Sequence, residues 1–188
     1  MAKIKEEEII DRWSVLIGEA KGRGKEVFRL TKQNLEALQV PKIKIVQKEI
    51  SPTWLRKLRG QTRTFLVVEN TYLEGYLMYI GASDYGEQMF VSWYLTLEAT
   101  GLQRLLAKAP WPLQILLFPL LIPLAIYNIF KRKTVAPAYM DLFDMEELTA
   151  YVTTVHHALM DAAKQVSETV GFDFTKVDTK SRGFLNIS

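Results

Sequence analysis

From Ala109 to Phe130 the chain runs for 22 residues without a charge (APWPLQILLFPLLIPLAIYNIF). Lys108 precedes this stretch, and Lys131, Arg132 and Lys133 follow it. An α-helix rising about 1.5 Å per residue would cover roughly 33 Å here, against about 30 Å for the hydrocarbon core of a bilayer. Its Leu, Ile and Phe residues, among them Leu113, Leu116, Leu117, Leu120 and Ile126, together favour insertion by roughly 4 to 7 kcal/mol. Trp111 and Tyr127 suit the two headgroup boundaries. Membrane attachment is therefore the first constraint on what this chain can fold into.

The prolines complicate a straight helix. Pro110 and Pro112 stand at the start of the stretch, where a missing N–H costs little. Pro119 and Pro123 stand in its middle, where each removes a backbone hydrogen bond that lipid cannot replace. A kinked single crossing, stopped by Lys131 to Lys133, is the leading expectation. A re-entrant or monotopic segment returning to its own side is the second, and a buried core helix the third. Basic residues on both rims leave the positive-inside rule nearly silent. Met1 to Glu8 has no apolar run, so no signal peptide is expected there.

Charge is segregated along the chain although the net value is only +3. Residues 21 to 63 carry a local +9, residues 64 to 103 a local −5 and residues 134 to 188 a local −4. The basic block suggests an anionic surface, with Lys21, Arg23, Lys25, Arg56, Lys57 and Arg59, joined by Lys131, Arg132 and Lys133, as headgroup contacts. Nucleic acid is a weaker alternative for residues 21 to 63, because no recognition signature accompanies the charge. Cysteine is absent, which removes disulfides, thiol nucleophiles and cysteine metal sites.

Residues 4 to 20 read as an amphipathic helix, with Ile9, Trp13, Leu16 or Ile17, and Ala20 at helical spacing. The hinge Lys21-Gly22-Arg23-Gly24-Lys25 follows. A short strand over Glu26 to Leu30 and a helix from Thr31 to Gln39 come next, then a strand over Lys42 to Ile50 and a two-turn helix from Ser51 to Gly60. Strands over Thr62 to Glu69, Tyr72 to Ile80 and Gln88 to Leu97, joined by short connections, predict an antiparallel meander. In the last of these Met89, Val91, Trp93, Leu95 and Leu97 share one face and should meet helices. The loop Gly81 to Glu87, with Ser83, Asp84 and Tyr85, is a candidate partner-binding surface.

Asp144-Met145-Glu146-Glu147 predicts the start of a long helix ending at Gly171, with an apolar stripe from Leu148 to Val170. Such a stripe must be buried. After a single crossing it would require a partner subunit; after a return it would cover the sheet. His157 and Asp161 stand one turn apart on this helix and are the candidates for acid–base chemistry, together with the hairpin tyrosines. Adjacent His156 and His157 cannot form an i, i+4 metal clamp.

The expected fold is α+β: an antiparallel β-meander with flanking helices, one hydrophobic membrane-inserting segment and a long C-terminal amphipathic helix. The expected divisions are an N-terminal helix (1–20), an α+β domain (25–108), a membrane segment (109–133) and a C-terminal helix and tail (134–188). The expected role is a non-enzymatic, membrane-anchored scaffold, assembly or regulatory protein. Its partners would be the lipid bilayer and a protein or second copy bound through helix 145–170. No cofactor or metal is expected. The expected location is the cell inner membrane, with the N-terminal domain facing the cytoplasm.

Overall fold

The computed structural model describes residues 9–50, 62–73, 75–97 and 140–187. The elements run β1 (Ile9–Ile17), α1 (Gly24–Ala37), β2 (Ile43–Ile50), β3 (Arg63–Asn70), β4 (Tyr76–Tyr85), β5 (Gln88–Leu97) and α2 (Leu142–Thr169), followed by a 3-10 turn, Phe174–Lys176. The strands form one antiparallel sheet in the order β1-β5-β4-β3-β2. Strands β3 to β5 are the expected meander, and β2, expected as a strand, extends it by pairing with β3. Alternation on β5 sends Met89, Val91, Trp93 and Leu95 into the core against the two helices. A smaller cluster of Ile50, Val67, Leu77 and Tyr79, with Phe65 and Tyr94 against it, lies on the opposite face.

Two local expectations change. Residues 9 to 17 form a strand, not a helix. Ile9, Trp13 and Ile17 are four apart, a spacing shared by a helix face and by one face of a strand. Pairing with β5 decides the matter, setting Trp13 opposite Trp93 and Ile17 opposite Met89. Glu26 to Leu30 is not a strand but the first half of α1, which buries Val27, Phe28, Thr31 and Leu35 at helical spacing. Helix α1 begins so close to β4 that a Cβ on Gly24 would lie 2.8 Å from the Ala82 carbonyl oxygen. The expected helix from Ser51 to Gly60 lies outside the described residues.

Helix α2 carries the predicted stripe: Leu148, Tyr151, Val152, Val155, Leu159, Ala162, Ala163 and Val166 are buried. It starts slightly earlier than expected, capped by the Asp141 carboxylate, which accepts from the Asp144 amide at 2.9 Å. The Tyr151 hydroxyl donates to the Val68 carbonyl at 2.7 Å, and Asn34 of α1 donates to the Ala158 carbonyl at 3.1 Å. The helix therefore caps the sheet of its own chain.

That packing corrects the expectation of a transmembrane, integral membrane protein. Among the described residues no helix is long and apolar enough to cross a membrane. The stretch 109–130, with Trp111, Leu113, Leu116, Leu117, Pro119, Leu120, Pro123, Ile126 and Tyr127, lies outside the described residues. The elements on either side of it, β5 and α2, share one core. A single crossing would have to place those two elements on opposite sides of the bilayer, tearing that core apart. The hydrophobic count measured the stretch correctly but carried no information about where its flanks pack.

Candidate functional site

Both flanks of the apolar stretch meet at one residue. Tyr76 opens β4 and pairs with Leu97, the last residue of β5. Its hydroxyl donates to the Met140 sulfur at 3.9 Å, two residues before α2 begins. Burial, with the Asp144 charge adding to it, pushes the Tyr76 phenol up to about 12, so it stays a neutral donor at ordinary pH. The chain thus leaves the described fold and rejoins it at the same end of the sheet.

Apolar side chains gather at that end. Leu142 and Phe143, in the first turn of α2, are 69% and 75% exposed. Tyr72, in the connection from β3 to β4, is 47% exposed and carries the Lys42 ammonium 4.5 Å from its ring centroid. Leu38, which caps the far end of α1 beside the start of β2, is 57% exposed. Hydrogen bonds tie down the residues around Tyr72: the buried Asn70 side chain accepts from the Tyr72 and Leu73 amides at 2.8 and 3.2 Å and donates to Glu147 of α2 at 3.2 Å. Thr71 bonds the Lys42 carbonyl through both its amide and its hydroxyl. Four of the exposed large apolar side chains thus lie at this end, and an apolar patch of that kind marks an interaction surface where scattered single residues do not.

The remaining sequence candidates are dispersed. Lys21 pairs with Glu87 at 2.7 Å and Arg23 with Glu26 at 2.8 Å, while Lys25 is exposed on α1. Arg56, Lys57, Arg59, Lys131, Arg132 and Lys133 lie outside the described residues. The loop Gly81 to Glu87 is mostly strand: β4 runs to Tyr85, and Gly86 and Glu87 alone separate it from Gln88. Ser83 sits opposite Phe90, Asp84 accepts from the Gly22 amide at 2.9 Å, and Tyr85 is 71% exposed at the tip. This tip and the basic hinge thus form one joined corner, at the opposite end of the sheet from Tyr72.

His157 and Asp161 lie on the exposed face of α2, whereas Tyr79 and Tyr94 belong to the cluster on the far side of the sheet. The structure does not bring these groups together. No cluster of three metal-ligating side chains occurs among the described residues.

Of the adjacent pair, His156 is the one packed into the core. It is fully buried, its Nδ1 accepts from Trp93 Nε1 at 2.9 Å, and its ring stands edge-on to Trp13 and Trp93 at 5.6 and 5.8 Å. Burial, reinforced by the neighbouring His157, pulls it down to about 4 against weaker opposing pulls from the Thr179 carbonyl and Asp11. It is a neutral packing residue at pH 7, with its proton on Nε2. The available signal was its place on the apolar stripe, four residues after Val152.

Comparison with protein-family models, curated proteins and solved structures found no match to this chain.

Proposed function

We propose that this protein is a non-enzymatic scaffold attached to one face of a membrane, with the Tyr72–Phe143 end of its α+β domain against the bilayer. In this reading Leu97 and Met140, where the described fold breaks off and resumes, lie on the bilayer side of the domain. The observation that carries the proposal is the meeting of Leu97 and Met140 at Tyr76, beside four exposed apolar side chains. The lipid bilayer is the proposed partner, and the cytoplasmic face of the cell inner membrane the proposed seat. A cysteine-free composition fits that compartment.

Flotation of the full chain with phosphatidylcholine vesicles tests the reading. Wild type is expected to float and to stay bound in high salt, because the attachment is chiefly apolar. Leu142→Glu with Phe143→Glu should weaken flotation while leaving the melting temperature nearly unchanged, since both side chains are exposed. A wild-type protein that stays in the dense fraction with every vesicle would overturn the proposal.

A further inference from the structure

A second feature stands apart from the membrane-facing end and does not depend on it. After the 3-10 turn the chain returns to β1 and lies along its free edge. The Arg182 amide donates to the Arg12 carbonyl at 2.7 Å and the Phe184 amide to the Ile10 carbonyl at 3.1 Å. Trp13 Nε1 donates to the Asp178 carbonyl at 2.7 Å. The Asp11 carboxylate, 1% exposed, accepts from the Leu185 and Asn186 amides at 2.9 and 3.2 Å and from the Arg12 amide at 2.7 Å. Gly183 makes the approach possible, because a Cβ there would fall 2.5 Å from the Ile10 carbonyl oxygen and 2.6 Å from Asp11 Cα.

Between this tail and the sheet lies a cleft of about 370 Å³. Arg12 and Ser14 of β1 and Phe90 and Tyr94 of β5 form its floor, and Lys180 and Arg182 of the tail form its wall. Register explains the floor: Arg12 stands opposite Tyr94, Ser14 opposite Ser92, and alternation keeps all of them on the face away from α2. Arg12, Lys180 and Arg182 form no ion pair among the described residues. Asp178 is the one acid lining the cleft, and its carboxylate is engaged by the Lys180 amide at 3.1 Å. Three cations, one from β1 and two from the tail, thus line one cavity with two aromatic rings beside them.

The geometry points to a binding site for a phosphomonoester. A phosphate dianion matches two guanidinium forks and an ammonium. Phe90 and Tyr94 offer an apolar bed for the group that carries it. The size suits a small organic phosphate, either free in solution or presented as the headgroup of a lipid.

Titration calorimetry of the full chain with phenyl phosphate, alongside vesicles containing phosphatidic acid or phosphatidylglycerol, provides the test. Saturable binding of phenyl phosphate is expected, weakened about tenfold or more by Arg12→Gln and by Arg182→Gln, as for lost charge-assisted hydrogen bonds. Lys164→Gln, on the exposed face of α2, should leave it unchanged. An arginine-dependent preference for phosphatidic acid over phosphatidylglycerol vesicles would assign the site to a lipid headgroup. Dependence in the soluble arm alone would assign it to a free phosphate ester. Absence of saturable binding in every arm, or binding indifferent to both arginine variants with melting temperatures intact, would overturn the proposal. Flotation on phosphatidylcholine vesicles is unaffected by these arginines, so the two proposals fail separately.

Discussion

Acid should find its weak point at His156. The imidazole is enclosed by Trp13 and Trp93 and is held down to about 4, against an ordinary value of 6.5. As pH falls below 6.5 the unfolded chain takes up a proton at this position while the folded chain does not, so folding stability drops. The full contribution is present above 6.5, declines between 6.5 and about 4, and is flat below that. At about 1.4 kcal/mol per pH unit, the gap amounts to about 3 kcal/mol, and most of it is gone by about pH 4.5. This is a large fraction of the 5 to 15 kcal/mol, roughly, that holds a domain together. Urea unfolding followed by tryptophan fluorescence at a series of pH values measures it directly. The comparison is His156→Asn, whose side-chain oxygen keeps an acceptor for Trp93 Nε1 but does not titrate. The variant should be less stable at pH 7 because the site is underfilled. Its slope between pH 6.5 and 4 should be shallower than wild type by that same amount. Parallel curves for the two proteins would refute the assignment and move the acid response to the carboxylates.

Gly183→Ala should detach the tail from β1 at a cost of about 1 to 3 kcal/mol, seen as a lower urea midpoint and as new proteolytic cleavage after Lys180 or Arg182. Asp11→Ala leaves the Arg12, Leu185 and Asn186 amides without their shared acceptor and should cost about 2 kcal/mol or more by the same measurement. Tyr151→Phe removes the buried donor to the Val68 carbonyl; a loss of about 1 to 2 kcal/mol in thermal unfolding is expected, with no change in vesicle flotation.

Much of the meander is legible from residues 62 to 97, because alternating apolar positions and short connections are local signals. The stripe of α2 is legible for the same reason. Strand β1 is not, since its Ile9, Trp13 and Ile17 fit both periodicities and only pairing with a strand some 80 residues away separates them. The apolar stretch announces its length but not where its flanks pack, which the shared core of β5 and α2 decides. The phosphate cleft is hidden more completely. Arg12, Tyr94 and Arg182 are brought together by tertiary structure alone, and Lys180 and Arg182 sit in a segment whose summed charge is −4. Averaging over that segment conceals two cations that the fold places beside a third.

The tail that clasps β1 also fixes an order of events. Asp11 cannot receive the Leu185 amide until 174 further positions of chain have been made. Strand β5 is complete at Leu97, and at roughly 5 to 20 residues per second the sheet waits several seconds for the tail. During that interval neither α2 nor the tail is there to pack with the sheet, so one face of the sheet and the edge of β1 stay open. The edge of β1 is therefore the last part of the sheet to be covered, closed only as Leu185 and Asn186 reach Asp11.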